Sequence, residues 1–175
     1  MNSERYAEIS DQILEVLKSI PIFDRLTLPE VHKIFDIFRP QRYEAGEVIY
    51  RIGSPSDDMF ILMEGILSVR TSAGIEVAQV TPIGLVGEMG LLTHSPRSAE
   101  VIAIDDMTGL FICKADLTNL IIRDTTTCVK VLLNIIKIIA RKIHNTNIQI
   151  EKLKASAPHL SKEIDEILAG NVFLY

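Results

Sequence analysis

The residue types in this sequence that could support chemistry are concentrated in one stretch, residues 84 to 101. Gly87 and Gly90 flank the carboxylate of Glu88 at the expected start of a short helix. Glycines at such a position let free backbone N–H groups point toward an anion, because no side chain blocks the approach. The stretch therefore predicts an anion cradle with an acidic group beside it.

A cation and a hydroxyl follow the cradle. Arg97 comes directly after Pro96, at the start of an expected strand, and Ser98 comes next. The planar guanidinium of arginine can hold two phosphate oxygens at once, and serine can donate to the same oxygens. Glu88 would be unfavourable beside a phosphate alone, but it can accept a hydrogen bond from a ribose hydroxyl of the same ligand. Two simpler interpretations stay open. Glu88 and Arg97 can form a solvated ion pair on the surface, and Gly87 and Gly90 can simply be turn residues.

The segment that carries the cradle, residues 41 to 113, has the pattern of a β-rich domain. Short runs of β-branched and aromatic residues are separated by Gly, Pro, Ser and Asp. The runs cover residues 48 to 50, 59 to 63, 66 to 69, 77 to 80, 101 to 104 and 110 to 112. Short strands at such regular spacing predict a compact antiparallel barrel or jelly roll.

Helical periodicity precedes this segment, within residues 1 to 40. Apolar residues at spacings of three and four predict one helix over residues 4 to 19. Thr27 is the predicted N-cap of a second, short helix, with Glu30 placed for the reciprocal bond of a capping box. Pro40 is predicted to end that helix. Its predicted buried face consists of Val31, Ile34, Phe35 and Phe38.

Helical periodicity returns in residues 114 to 157, where Leu117, Leu120 and Ile121 form the predicted face of a short helix. Apolar residues then recur at alternating spacings of three and four, the heptad pattern of a helix that pairs with another helix. This seam predicts a homodimer through residues 129 to 153. Residues 158 to 175 are expected to hold a short helix and an apolar tail without an assigned role. The seam consists of Val129, Leu132, Ile136, Ile139, Ile143, Thr146, Ile150 and Leu153.

Residues 84 to 101 resemble the phosphate-binding cassette of the cyclic-nucleotide-binding domain family, which includes catabolite activator protein-like and protein kinase A regulatory subunit-like domains. The family pattern is approximately Phe-Gly-Glu-Leu-Ala-Leu, a short loop, then Pro-Arg-Ala/Ser/Thr-Ala and Val or Ile. This sequence has Val-Gly-Glu-Met-Gly-Leu and Pro-Arg-Ser-Ala-Glu-Val in the corresponding places. The resemblance implies an α+β fold: an antiparallel β-roll, or double-stranded jelly roll, flanked by N-terminal helices and a long C-terminal dimerisation helix.

The resemblance also implies a role for each matching residue. Arg97 would pair with the cyclic phosphate, and Ser98 would donate to it. Two positions depart from the pattern, since Val86 replaces the common aromatic residue and Gly90 replaces the common alanine. The first change can loosen the packing behind the pocket, and neither removes a polar contact with the ligand. The ribose-phosphate side would be lined by Gly87, Glu88, Met89 and Gly90.

The choice of base rests on a second part of the resemblance. Residues 140 to 147 resemble the dimer helix of catabolite activator proteins, in which a Thr-Ser pair reaches adenine. Thr146 and Asn147 stand in that place, which favours cAMP as the ligand. The alternative cGMP stays open, because Ser98 can partly mimic the threonine that often contacts guanine. A threonine in the seam can also simply set the register of a coiled coil.

Composition limits the classes of function. The chain has 175 residues, 47% of them hydrophobic, which suffices for one well-packed core. A net charge of −5 argues against a broad surface for nucleic-acid backbones. Cys113 and Cys128 lack metal-site spacing and are expected to be reduced packing residues. Because the sequence shows no leader pattern and no apolar run of ~18 residues, we expect a cytoplasmic protein without membrane association.

The sequence shows no recognisable catalytic or metal-binding motif. The histidines have no ligand spacing, so a metal-dependent cupin would lack its ligands, and neither a metal nor a cofactor is expected. His94 is expected to be a loop residue beside the pocket. We therefore expect a non-enzymatic receptor that passes the binding event to an unidentified protein effector. The histidines are His32, His94, His144 and His159.

Two other classes of protein are the alternatives. Many relatives of such domains carry a DNA-reading helix-turn-helix after the long helix, but Lys162 is the sole basic residue after Lys154, so DNA binding is not expected. A transcription-regulator relative and a ligand-independent dimerisation or scaffold module are both kept as alternatives. Whether the chain is part of a longer protein also stays open.

Overall fold

The computed structural model describes residues 19–93, 95–156 and 165. The chain divides into two compact units, Met1–Ile135 and Ile136–Tyr175. The helix predicted over residues 4 to 19 lies almost entirely outside the described residues. The same holds for nearly all of the predicted tail, residues 158 to 175, and for His94.

The first unit contains a β-roll built from two four-stranded sheets. The strand order is β1-β8-β3-β6 in one sheet and β2-β7-β4-β5 in the other, and the neighbouring strands pair in antiparallel fashion. The strands are β1 (Arg39–Tyr43), β2 (Val48–Tyr50), β3 (Asp58–Glu64), β4 (Leu67–Arg70), β5 (Glu76–Val80), β6 (Leu85–Val86), β7 (Glu100–Ala103) and β8 (Met107–Cys113).

Helices flank the roll, so the predicted α+β class with an antiparallel β-roll and a long C-terminal helix is confirmed. Helix α2 interrupts the strands between β6 and β7, and the other helices precede or follow them. The helices are a 3₁₀ turn (Pro21–Phe23), α1 (Leu28–Phe35), α2 (Glu88–Thr93), α3 (Lys114–Arg123) and α4 (Thr125–Ser156).

The core of the roll is apolar and draws on both sheets. Phe60 and Leu62 of β3 and Leu67 of β4 are fully buried, and they pack in one cluster with Val101 of β7. Side chains at every second position of a strand point to the same face, which places Phe60 and Leu62 together inside the roll. Each such side chain stabilises the fold by about 1.5–3 kcal/mol through burial.

The first helix ends earlier than the sequence pattern predicts. Helix α1 stops at Phe35, and Pro40 lies in β1 rather than at the helix end. Proline is tolerated there because β1 is an edge strand that pairs only with β8 in its sheet. The prediction that Pro40 closes the helix was therefore wrong.

Two residues predicted to be buried on helices are exposed. Phe35 is 41% exposed and Ile121 is 40% exposed, whereas the preceding residues Ile34 and Leu120 are buried. Consecutive residues of an α-helix are rotated by about 100° around its axis, so the side chain next to a buried one readily faces solvent. The packed stripe on each helix is thus narrower than predicted; Val31, Phe38 and Leu117 are buried as expected.

The beginning of α4 is tied to the N-terminal elements of the first unit. The Thr27 amide donates to Glu30 Oε2 at 2.8 Å, which confirms the predicted bond of Glu30 to the N-cap. The same carboxylate accepts from Lys130 Nζ of α4 at 2.7 and 2.9 Å. Asn134, also on α4, is buried and donates to the Ile22 and Asp24 carbonyls. These bonds fix the first part of α4 against α1 and the turn that precedes it.

The described part of the second unit is the remainder of α4 and residue 165. Ile136, Ile143 and Leu153 of the predicted seam are 55%, 57% and 62% exposed there. The Thr146 hydroxyl donates to the Lys142 carbonyl within the helix at 2.9 Å. Across the residues that the structure describes, none of the helices is both long enough and apolar enough to cross a membrane.

Candidate functional site

A glycine turn begins the stretch that the sequence singles out. Gly87 follows β6 with φ at 85°, a left-handed conformation that residues with a side chain rarely adopt. A Cβ atom at Gly87 would lie 2.5 Å from Arg97 Nη1 and 2.9 Å from Tyr50 Cε2. Both the backbone conformation and the close approach of Arg97 therefore require glycine at this position.

Arg97 is held in place through its backbone. Its amide donates to the Ser54 carbonyl at 3.0 Å, and its carbonyl accepts from the Gly53 amide at 2.8 Å. This pair of bonds joins the segment before β7 to the turn before β3. The guanidinium is thereby directed into the roll, and only 4% of the Arg97 side chain is exposed.

The guanidinium of Arg97 is surrounded on several sides. Nη1 donates to the Gly87 carbonyl at 3.2 Å, and Nη2 lies 2.7 Å from Oδ1 of Asp58. The Tyr50 ring lies beneath it, with Cζ of Arg97 3.6 Å from the ring centroid. Such a cation–π contact is attractive and strengthens where water is excluded. Nε of Arg97 is buried and makes no hydrogen bond to any described residue.

Asp58, at the start of β3, completes this cluster. Its Oδ1 also accepts a hydrogen bond from the Tyr50 hydroxyl at 2.5 Å. Burial raises the pKa of Tyr50 well above its usual value, and the hydrogen bond to Asp58 raises it further, so the phenol stays protonated and donates. The sequence analysis missed Asp58. Asp58 is in phase with the interior residues Phe60 and Leu62, but β3 is buried without interruption from Met59 to Leu62, so its sequence pattern does not show which side chains face the interior of the roll.

Helix α2 brings an acidic residue and a small residue to the same region. Glu88, in the first turn of α2, is only 6% exposed. Gly90 is buried against Ser56, and a Cβ atom at Gly90 would overlap the Ser56 side chain. The Ser56 hydroxyl is buried and has no hydrogen-bond partner among the described residues. Ser56 thus leaves no room for the alanine that is common in the family pattern.

Comparison with known proteins shows which family has this arrangement of residues. Residues 40–124 match the family model of the cyclic nucleotide-binding domain. This segment is a cyclic nucleotide-binding domain. The match includes the two sheets, the glycine turn at Gly87 and the Arg97 cluster, and it confirms the family resemblance of residues 84 to 101.

Two relatives contain a similar domain within much longer chains. A cyclic nucleotide-gated potassium channel of Mesorhizobium japonicum is 35% identical over 102 residues, which are 58% of this chain and 28% of the channel. A cAMP-dependent protein kinase type II regulatory subunit of Drosophila melanogaster is 33% identical over 99 residues, 55% of this chain and 26% of that subunit. The similarity thus spans little more than a quarter of either relative.

A solved structure shows the same fold. The cyclic nucleotide-binding domain from Methylobacillus flagellatus superposes with a TM-score of 0.74, covering 83% of this chain and 84% of that chain at 19% identity. At this level of identity the likeness concerns the fold alone. Two sheets with flanking helices are therefore an arrangement that this chain shares with another cyclic nucleotide-binding domain.

The structure brings together only some of the residues that the sequence predicts for the site. Gly87 and Arg97 are in direct contact, and Glu88 and Gly90 follow in the buried part of α2. Met89 is 43% exposed, and Ser98 is also exposed. Thr146 and Asn147 are exposed residues of the second unit. The ligand-binding roles of all eight residues stay predictions.

Other reactive groups lie outside this cluster. Within residues 19–93, 95–156 and 165, no group of three or more His, Cys, Asp or Glu side chains is arranged to hold a metal ion. Both cysteines are free; Cys128 is buried, and burial raises the pKa of its thiol. Cys113 is half-buried and donates through Sγ to Asp116 Oδ2 at 2.9 Å.

Proposed function

We propose that this protein is a cyclic-nucleotide receptor. It binds cAMP in the pocket of the β-roll and signals allosterically through its C-terminal helix to a partner protein. The observation that carries the proposal is the guanidinium of Arg97, buried inside the roll beside Gly87. Burying a charge costs free energy even when it is paired, as Arg97 is with Asp58, and an apolar side chain could fill the same space without that cost.

The site chemistry fits a ligand with one negative charge and a sugar hydroxyl. The Arg97 guanidinium supplies the positive charge for the cyclic phosphate, and Ser98 can add a donor at the strand start. Glu88 accepts the ribose 2′-hydroxyl in a charge-assisted hydrogen bond. Gly87, Met89 and Gly90 line the sugar-phosphate side, where the lack of a side chain at Gly87 allows a close approach. A carboxylate near the phosphate is thus explained by the ligand's own hydroxyl.

The proposal also specifies adenine as the base of the ligand. The relative from Drosophila melanogaster is named for cAMP, which supports cAMP over other cyclic nucleotides. Thr146 and Asn147 offer a hydroxyl and an amide that complement the exocyclic amine and ring nitrogens of adenine. The competing ligand is cGMP, which Ser98 would favour if it contacted the guanine amino group.

Regulation rather than catalysis follows from the same proposal. The two relatives are named as a channel and as a regulatory subunit, and a domain of this family can serve such proteins by binding alone. A ligand shifts a conformational equilibrium only through a difference in affinity between two states. Contacts of Thr146 with the base would provide that difference for the C-terminal helix.

We further propose a homodimer through residues 129–153 and a cytoplasmic location.

Calorimetry on the purified protein tests the proposal directly. cAMP, cGMP and a cyclic dinucleotide are titrated separately into the parent and into Arg97→Gln. We expect saturable binding of cAMP to the parent, weaker binding of cGMP, no binding of the dinucleotide, and cAMP binding that is weakened by up to about a hundredfold but still measurable in the variant. If neither mononucleotide binds the folded parent, the receptor proposal is wrong.

A second candidate is a ligand-independent dimerisation module. The exposed apolar residues of the second unit favour it, because Ile136, Ile143 and Leu153 form part of a heptad seam. The same calorimetry distinguishes the two candidates. A dimer that binds none of the three nucleotides would support the module, whereas a dimer that binds cAMP supports the receptor.

A further inference from the structure

Asp58 forms an ion pair with Arg97, the residue whose positive charge the proposed site offers to a phosphate. Its Oδ1 accepts from Arg97 Nη2 at 2.7 Å, and the same oxygen accepts from the Tyr50 hydroxyl at 2.5 Å. A ligand phosphate that engages Arg97 brings a second anion to a guanidinium that already has one. Like charges that share a poorly solvated site repel each other, so the two anions compete.

We propose that Asp58 is an internal competitor of the ligand, an affinity-determining residue whose carboxylate holds Arg97 until the cyclic phosphate displaces it. This inference rests on the proposed function, since it assigns Arg97 to the phosphate. The binding free energy of the ligand is then the difference between two ion pairs with the same guanidinium. The pocket consequently binds its nucleotide more weakly than Arg97 would allow by itself.

The exposure of the two partners shows which of them gives way. The Arg97 side chain is 4% exposed, whereas that of Asp58 is 24% exposed. When the pair separates, the carboxylate can reach water, but the guanidinium cannot without leaving the roll. Arg97 also keeps its bond to the Gly87 carbonyl and its contact with the Tyr50 ring. Asp58 is thus the partner that can move, and Arg97 stays where the phosphate arrives.

A purely structural role for Asp58 would have the opposite consequence. If the carboxylate only orients Arg97 for the ligand, its removal would leave the guanidinium misplaced and weaken binding. If it competes, its neutralisation strengthens binding. The sign of the change in affinity therefore separates the two roles.

Asp58→Asn is the informative variant, because it keeps the shape of the side chain and removes its charge. We expect the dissociation constant for cAMP, or for cGMP if the parent prefers it, to fall by about tenfold or more. This estimate follows from the size of a hydrogen bond between charged groups. Asp57→Asn is the matched control: it removes the same charge from the neighbouring exposed residue, and no comparable gain is expected.

A double-mutant cycle tests whether the effect acts through Arg97. Asp58→Asn is combined with Arg97→Gln, and the gain in affinity is expected to vanish in that background. Asp58→Ser serves as the second variant if Asp58→Asn does not fold, and urea unfolding establishes that each protein tested is folded.

Each outcome decides between the possibilities. A parent that binds, together with tighter binding by the variant, supports both the competitor and the receptor. A parent that binds, with equal or weaker binding by Asp58→Asn and Asp58→Ser, overturns the competitor and leaves the receptor intact. If Asp58→Asn binds the cyclic nucleotide and the parent does not, Asp58 competes strongly enough to prevent binding, which supports the competitor. If neither protein binds a cyclic nucleotide, the receptor and the competitor both fail.

Discussion

The guanidinium of Arg97 lies over the ring of Tyr50, with Cζ 3.6 Å from the ring centroid. The two residues lie at the same end of an antiparallel strand pair, since Tyr50 ends β2 and Arg97 shortly precedes β7. The ring limits the orientations open to the guanidinium and excludes water from one of its faces. Arg97 is thus held inside the roll before any ligand arrives, and such preorganisation lowers the cost of binding.

Replacement of Arg97 tests the central contact of the proposed site. We expect Arg97→Ala to weaken cAMP binding by about a hundredfold, because hydrogen bonds to a charged group are lost and a buried phosphate is left without its cation. Glu88→Gln should lose less, since an amide oxygen still accepts from a ribose hydroxyl. The measurement is the dissociation constant by calorimetry. Arg42→Ala, at an exposed position of β1, is the control, and an Arg97 variant with parental affinity would refute the assigned pocket.

Gly90→Ala is expected to destabilise the fold. The new methyl group would overlap the buried side chain of Ser56, and overpacking of this kind costs about 1–3 kcal/mol. Ser56→Gly in the same chain removes the atoms in the way and should recover much of the loss. Urea unfolding of the parent, the two single variants and the double variant measures the free energies. A Gly90→Ala protein as stable as the parent would contradict the close contact.

The ion pair of Glu30 and Lys130 predicts a loss of stability in acid. The hydrogen bonds from Lys130 and from the Thr27 amide lower the pKa of Glu30 from its usual 4.5 to about 2. A carboxyl group with a lowered pKa in the folded state stabilises the fold above its usual pKa, and this contribution disappears as the pH falls from 4.5 toward 2. Glu30→Gln should therefore flatten the decrease in the free energy of unfolding over that range.

Denaturant unfolding at several pH values between neutral and acidic conditions measures this effect. Glu151→Gln, at an exposed position of α4, is the control and should leave the pH profile unchanged. Parallel profiles for the parent and Glu30→Gln would show that the Lys130 pair contributes nothing to acid stability.

The dimer proposal depends on exposed residues of the second unit. Ile143 is 57% exposed, and we expect Ile143→Asp to convert a dimer into a monomer because a charge would be buried at the seam. Sedimentation at tens of micromolar, a concentration at which a stable interface stays closed, measures the change. Ile139→Asp should act similarly, whereas Asn145→Asp, on the other side of the helix, should not. A monomeric parent, or a dimer unaffected by both isoleucine changes, would exclude this interface.

Thr146 tests the link between the base and the C-terminal helix. Its hydroxyl bonds to the Lys142 carbonyl, and Thr118 in α3 makes the same kind of bond to the Lys114 carbonyl. Thr146→Val keeps the shape and should weaken cAMP binding by about 0.5–1.5 kcal/mol, the usual value of one hydrogen bond. Thr118→Val is the matched control and should leave the affinity unchanged.

Amide exchange along residues 129–153, with and without cAMP, provides the second measurement for this prediction. We expect ligand-dependent protection in the parent and less of it in Thr146→Val. Unchanged affinity combined with no protection of the helix would remove the proposed coupling, while the contacts of Arg97 and Glu88 would be unaffected by that result.

The sequence by itself determined the elements and the local motif. Regular spacing of short apolar runs between turn residues predicts the strands of a roll, because short strands joined by turns form such a fold. The bond of Glu30 to the N-cap was predictable because its residues are three positions apart. The cassette of Gly87, Glu88 and Arg97 was recognisable for the same reason, since its parts are close in sequence. Strand β6, with two residues, is too short to give a pattern, and β1 contains a proline that looks like the end of a helix.

Only the tertiary structure decided what surrounds Arg97. Tyr50 comes from the end of β2 and Asp58 from the start of β3, and no local pattern links them to a residue beyond α2. Antiparallel pairing and the turn contacts of the Arg97 backbone bring these segments together. The sequence also left open which apolar side chains of a helix are buried. Helical periodicity placed Phe35 and Ile121 on the packed face of their helices, but both are exposed in the structure. Contacts between distant segments depend on the packing of the whole roll, and a local sequence pattern holds no information about that packing.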